Sequence, residues 1–225
     1  MTVPRPAHEY TPARSPRMVL VVLSVSEVLN AMKTAGSQAT PGAIKRECAR
    51  HALREVGDQK VSYAALLGTT FGGHLPRPRH RMTAMRIIDR LLEPSLDEQF
   101  RVRDSIVVTD SDEGETYQAT LPGGRTVVLA EIPETTVEQA LQAAQQLSQS
   151  AAYCQLRAAL DSLSAAIVSI DGKPITASLL RGRSWDQHFS VRETLLLQVV
   201  LNEMLSGSLE DALVPLESTS VGSGT

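Results

Sequence analysis

Ala166-Ile167-Val168-Ser169-Ile170-Asp171-Gly172-Lys173-Pro174-Ile175 is the stretch on which the fold turns, and the only tryptophan, Trp185, follows ten residues later. Asp-Gly is a pair that tolerates left-handed backbone in a tight turn. The stretch therefore joins a long helical segment before it to a last helix after it. Asp171 is expected to accept backbone hydrogen bonds there while Gly172 takes the left-handed conformation. That makes the pair a structural turn rather than a catalytic carboxylate beside Lys173. Trp185 reads as a core anchor.

Upstream, Ser105 to Thr109, Thr116 to Leu121 and Arg125 to Ile132 are β-rich runs, bounded by the acidic Asp110 to Glu115 loop and by Pro122-Gly123-Gly124. The last two runs should pair as a hairpin. Thr135 with Glu138, or Thr136 with Gln139, reads as a capping box opening a helix. Its apolar face continues through Leu156, Leu160 and Leu163, with a break near Ser148 to Ser150. Ser190 and Glu193 form a second box, opening a helix that should run to about Leu205 and stop at Gly207.

The N-terminal half reads as a small helical module. Residues 1–17 hold four prolines and three arginines and should be disordered. Val19 to Met32 begins β-branched and turns helical from Ser24 or Ser26. Thr34 to Thr40 is loop-like, Thr40-Pro41 caps a helix over Ala43 to Val56, and Gly57-Asp58 stops it. A short helix follows at Ser62 to Leu67, then an irregular Gly68 to Pro78 segment. Arg79 to Leu92 is amphipathic, with Met82, Met85 and Ile88 on the inward face.

With 225 residues and 42% hydrophobic content, the chain can build two modest domains. Aromatics at 4% make the core aliphatic and argue against aromatic surfaces for carbohydrate or stacked bases. The expected fold class is α+β, mostly helical. Its parts are a disordered leader (1–17), a basic helical module (18–104), a β-hairpin followed by a helical module (105–215) and a disordered tail (216–225). Residues 1–104 carry 16 basic and 10 acidic side chains, a net of +6, and residues 105–225 carry 6 and 15, a net of −9. Such polarity allows oppositely charged partners at the two ends. Met18 to Leu23 is far too short to span a membrane, so a cytoplasmic protein is expected.

No catalytic constellation emerges, and the chain is expected not to be an enzyme. The five histidines show no metal-ligand spacing, and Cys48 and Cys154 lie far apart in helical patterns, as buried thiols of a reducing compartment. No nucleophile elbow, phosphate-binding loop or dinucleotide fingerprint is present, so no cofactor is expected.

From about Tyr117 to Leu209 the chain resembles the tail-assembly chaperones and baseplate-hub assembly proteins of tailed bacteriophages and related contractile injection systems. The order of features carries the resemblance. The hairpin Tyr117 to Val127 comes first, then an Ala- and Leu-rich helical stretch, Ile167 to Ile175, the Leu179 to Trp185 segment and a terminal helix, Val191 to Met204. It implies a non-enzymatic protein that binds tail, hub or tape-measure proteins in the bacterial cytoplasm, where it is either released or incorporated in the particle, with self-association allowed. An apolar stripe left incompletely buried suits such docking, and Leu195, Leu196, Val199, Val200, Met204 and Trp185 are its candidates. The alternative is a DNA-binding regulator with a winged helix-turn-helix-like N-terminal half, using Arg79, Arg86 and Arg90 on phosphates or on an acidic partner. Net acidity and the Gly- and Pro-rich spacing between its helices weigh against nucleic acid.

Overall fold

The computed structural model describes residues 7–13, 15–36, 40–66, 75, 77–112 and 114–212. Strand β1, Ala7–Tyr10, pairs antiparallel with β2, Met18–Val21. Ser24 then caps α1, Val25–Ala35: its hydroxyl accepts from the Glu27 N–H, and the Glu27 carboxylate accepts from the Ser24 N–H. Thr40 caps α2, Pro41–Ala52, with Pro41 where a helix needs no N–H. The chain extends as β3, Leu53–Val56, turns at Gly57-Asp58 and returns as β4, Gln59–Lys60. Helices α3, Tyr63–Leu66, and α4, Pro78–Leu92, complete this half.

Helix α5, Leu96–Asp104, leads into β5, Val107–Thr109, β6, Thr116–Thr120, and β7, Thr126–Ala130. Two helices follow, α6, Glu134–Leu147, and α7, Ala151–Ala166, then the hairpin β8, Ile167–Ile170, and β9, Lys173–Pro174. Short helices α8, Ala177–Leu180, and α9, Trp185–His188, precede the last helix, α10, Val191–Ala212. The sheets run in the orders β1-β2-β3-β4 and β5-β6-β7-β8-β9. The fold is α+β and mostly helical.

The two halves repeat one arrangement of strands around a helical pair. In the first, β2 meets β3 through Met18↔Val56 and Val19↔Glu55, slips, and resumes at Leu20↔Leu53. In the second, β7 meets β8 through Val127↔Ile170 and Val128↔Ser169, slips at the equivalent step, and resumes at Leu129↔Ile167. The preceding pairs agree as well: Ala7↔Val21 to Tyr10↔Met18 corresponds to Thr116↔Ala130 to Ala119↔Val127. The Gly57 N–H donates to Arg17 O at 2.8 Å, as the Asp171 N–H donates to Thr126 O at 2.8 Å. Past the turn, Val61 N–H donates to Arg54 O at 2.7 Å and Ile175 N–H to Val168 O at 2.9 Å. Each unit thus encloses a helical hairpin, α1–α2 or α6–α7, between two adjacent strands.

The turns reach this common geometry by different residues. Gly57 alone takes a positive φ, 61°, the pattern of a turn with glycine first. Asp171 and Gly172 both do, at 52° and 72°, as a type I′ turn requires. The expected role of Asp171 is met with one refinement: its Oδ1 accepts from the Thr126 N–H at 2.9 Å, on the neighbouring strand.

Leu20, Leu53, Leu129 and Ile167, at the bulges, are all buried, and the buried apolar side chains of both units form one contiguous cluster. Helix α1 packs on α7, and α10 touches α4, α5 and α7. Asp186 Oδ1 accepts from the Val25 N–H at 2.8 Å, so the second unit helps cap the first helix of the first. Helix α5 lies within the span read as the first module, yet it packs on α10 and β6 of the second unit.

Several local expectations are corrected. Residues 7–10, inside the expected disordered leader, form β1, because pairing with β2 supplies the backbone partners that composition does not reveal. The helix expected to Val56 ends at Ala52, since Leu53–Val56 bonds on both sides to strands. Neither expected box at Thr135 or Thr136 forms; Pro133 stands at the N-cap of α6 with no side-chain cap. Gly207 does not stop α10, which continues to Ala212. The tail 216–225 and most of Gly68 to Pro78 lie outside the described residues.

Equivalent bulge positions should respond alike. Leu20→Ala and Leu129→Ala are each expected to cost about 2–5 kcal/mol, checked by denaturant unfolding; a loss confined to one unit would contradict the shared core.

Candidate functional site

Where α1, α2 and α4 meet α7 and α10, a groove of about 370 Å³ opens between the two units. Val28, Met32, Ile44, Ile88, Leu156 and Leu195 make it aliphatic. Its rim is charged: Lys45 Nζ lies 2.9 Å from Asp89 and 3.5 Å from Glu93. The hydrogen bond to Asp89 leads the interactions that raise the Lys45 pKa. Such a recess can take apolar side chains of a partner with a polar edge around them.

The docking residues expected from the sequence divide. Leu196, Val200, Met204 and Trp185 are buried and belong to the core, so they are corrected as surface candidates. Leu195 and Val199 are half-buried, and Leu195 lines the groove. Period alone could not separate them, because α10 is contacted from several sides by α4, α5, α7 and β6. The groove's other walls come from helices far apart in the chain, which no local pattern brings together.

Trp185 is the anchor it was expected to be. Its indole Nε1 donates to Thr194 Oγ1 at 2.8 Å, and Thr194 Oγ1 in turn donates to Ser190 O at 2.8 Å. The Ser190–Glu193 capping box forms as expected. Arg125, which the sequence did not single out, ties these parts together. Its Nη1 donates to His188 O and to Glu193 Oε1, each at 2.8 Å, and its guanidinium lies 5.3 Å from the Phe189 ring centroid. Beside them a second cavity of about 340 Å³ is lined by Tyr153, Arg157, Asp161, Trp185 and Asp186. There Arg157 makes a bidentate pair with Asp161 at 3.0 Å and Asp186 adds a cap to α1.

The basic face of α4 is present. Arg79, Arg86 and Arg90 are exposed, and no carboxylate partner is found for them among the described residues. Met82, expected to face inward, is 55% exposed on this side, while Ala84, Ile87 and Ile88 form the buried stripe. The helix that follows α4 is α5, so the arginine-bearing helix does not run directly into a hairpin.

Cys48 and Cys154 are free and buried, and burial pushes the Cys48 thiol up to about 12. Among the described residues no group of three His, Cys, Asp or Glu is placed to hold a metal ion. Nor is any described helix long and apolar enough to cross a membrane. In the first unit, Glu47 is buried and accepts from Tyr63 Oη and Arg50 Nη1, each at 2.8 Å. His51 stacks on Tyr63 at 4.0 Å with a buried, unpartnered Nε2.

Two groups make the fold acid-sensitive. Burial lowers the His51 pKa from its ordinary 6.5, so the stability tied to neutral His51 is present above about 6.5 and falls as pH drops below it. Arg192, hydrogen-bonded to Glu98, holds that carboxyl down at about 2 against an ordinary 4.5, so its contribution is present above 4.5 and is lost between there and about 2. Unfolding free energy measured against pH should therefore decline in two steps. His51→Gln should remove the upper step, and Arg192→Ala should shrink the lower, the Ser95 hydrogen bonds to Glu98 remaining. Compared with known proteins, the chain matches no family model, no curated protein and no solved structure.

Proposed function

We propose that this chain is a non-enzymatic assembly protein of a phage-type tail or baseplate, binding other tail, hub or tape-measure components. One observation carries the reading: the order hairpin, helical pair, Ile167–Ile170 with its Asp-Gly turn, Trp185 and terminal helix belongs to one built unit, and the first half repeats that unit's strand register. The hairpin, helical pair and turn of that feature order thus have a structural counterpart in the N-terminal half. The interunit groove supplies an apolar recess for a partner, with Leu195 on its wall. The full-length protein, used as bait in cells expressing its neighbouring genes, should retain a large helical tail or hub protein. Leu195→Glu should reduce that retention by tenfold or more, the order expected when a central apolar anchor is lost. Retention of nucleic acid with no structural partner would reject the reading.

The second reading is a DNA-binding regulator, favoured by Arg79, Arg86 and Arg90, which share one exposed helix face and have no carboxylate partner among the described residues. It predicts duplex binding that weakens steeply with salt and is lost in the triple alanine variant. A mobility shift at low salt that is the same for wild type and triple variant would exclude it.

A further inference from the structure

The two units differ at one sheet edge. In the second, β6 is covered on its outer side by β5, through Val107↔Gln118, Val108↔Tyr117 and Thr109↔Thr116. The equivalent strand of the first unit is β1, and among the described residues its outer side carries no strand. We propose that this open edge accepts an extended strand of a partner protein, laid antiparallel on β1 in the register that β5 takes on β6.

The backbone is poised for it. In an antiparallel ladder, pairs that exchange both hydrogen bonds alternate with pairs that exchange none. The Gly57 N–H bonds Arg17 O, so Arg17 and Val19 turn their amides toward β3. Met18 and Leu20 turn toward β1, where Tyr10 and His8 stand opposite. Ala7 and Glu9 therefore direct N–H and C=O away from β2. They are the counterparts of Thr116 and Gln118, the residues opposite Thr109 and Val107 of β5.

Side chains do not close the edge. Exposed strands are commonly protected by Pro, Lys, bulges or unpaired charges. Ala7-His8-Glu9-Tyr10 has neither Pro nor Lys, and the Glu9 carboxylate is occupied by Arg17 at 2.6 Å. Main-chain bonds along such an edge supply affinity, and flanking side chains supply choice of partner.

Charge specifies the partner's leading end. Beside the Tyr10 end of β1, a recess of about 320 Å³ is lined by Tyr10, Thr11, Pro12, Arg86, Ile87 and Arg90. A strand in the β5 register passes this end with the residues just before its paired run. In β5 those are Asp104, Ser105 and Ile106, and Ser105 Oγ accepts from the Thr120 N–H at 3.0 Å. The occupant is accordingly a β-branched run preceded by acidic residues, whose carboxylates meet Arg86 and Arg90. This holds whichever function the protein serves.

The probe is a capped synthetic peptide of the chain's own 104–110 sequence, Asp-Ser-Ile-Val-Val-Thr-Asp, titrated into isotope-labelled full-length protein and followed by backbone amide shifts. Shifts at Ala7 to Tyr10 are expected in wild type and in Glu9→Ala, which loses the ion pair but keeps the outward N–H. They should vanish in Glu9→Pro, a substitution an edge strand tolerates. A peptide N-methylated at its first valine should also fail, which removes the reciprocal bond of the same residue pair without altering the protein. Arg86→Ala with Arg90→Ala should weaken binding severalfold, and more at low salt than at high. The proposal is overturned by no shift at Ala7 to Tyr10, by shifts confined to Thr116 to Thr120, or by equal binding of the methylated peptide. A wild-type dimer on size exclusion that Glu9→Pro dissolves would also overturn it, assigning the edge to a second copy.

Discussion

Each half of this protein depends on one strand pairing, in which the strand before a helical hairpin is hydrogen-bonded to the strand after it. Closing that ladder brings together residues separated by two whole helices, at an entropic cost that grows slowly with loop length. The bulge at Val19/Leu20, repeated at Val128/Leu129, accommodates an extra residue where the chain returns from the second helix. It keeps Leu53 and Ile167 pointing into the core; a slip of one residue would turn them to the other face. The tight turn that follows then directs the chain back along the sheet.

The two copies are joined unsymmetrically. Helix α1 of the first unit packs on α7 of the second and, besides its own Ser24 cap, donates the Val25 N–H to Asp186. Helix α5, which follows the first unit in sequence, is bound to the second by Arg192 with Glu98 and by Arg103 with Glu203, the latter at 2.8 Å. The arginines therefore serve different ends. Arg125 ties α9 and α10 to the β6–β7 turn within the second unit and Arg192 links α10 to α4 and α5, while Arg79, Arg86 and Arg90 face outward without acidic partners among the described residues. Repetition also makes the units comparable position by position, and the edge of β1, uncovered among the described residues, stands out because β5 covers its equivalent.

The aliphatic stripe of α10 is spent mostly inside the fold. Leu196, Val200 and Met204 are consumed by the core, and Leu195 is left on the wall of a groove that both units build. A groove lined by both units exists only while they are packed together, so the docking proposed there depends on the integrity of the whole chain.

The sequence by itself determined the parts with local physical causes. These are the Thr40-Pro41 and Ser190–Glu193 helix starts, the hairpin around Gly123-Gly124, the break at Ser148 to Ser150 and the Asp171-Gly172 turn. Short-range hydrogen bonds and backbone preference are enough to specify them. Tertiary structure decided what short range leaves open. Leu-Arg-Glu-Val at 53–56 suits a helix until two neighbouring strands claim it, and Ala-His-Glu-Tyr at 7–10 has no pattern of its own until β2 lies beside it. The duplication had a faint sequence trace, Val56-Gly57-Asp58-Gln59-Lys60-Val61-Ser62 against Ile170-Asp171-Gly172-Lys173-Pro174-Ile175-Thr176, blurred because two turn types place glycine at different positions. Which apolar residues became core and which became groove depended on contacts between distant helices, and those are settled only when both units pack.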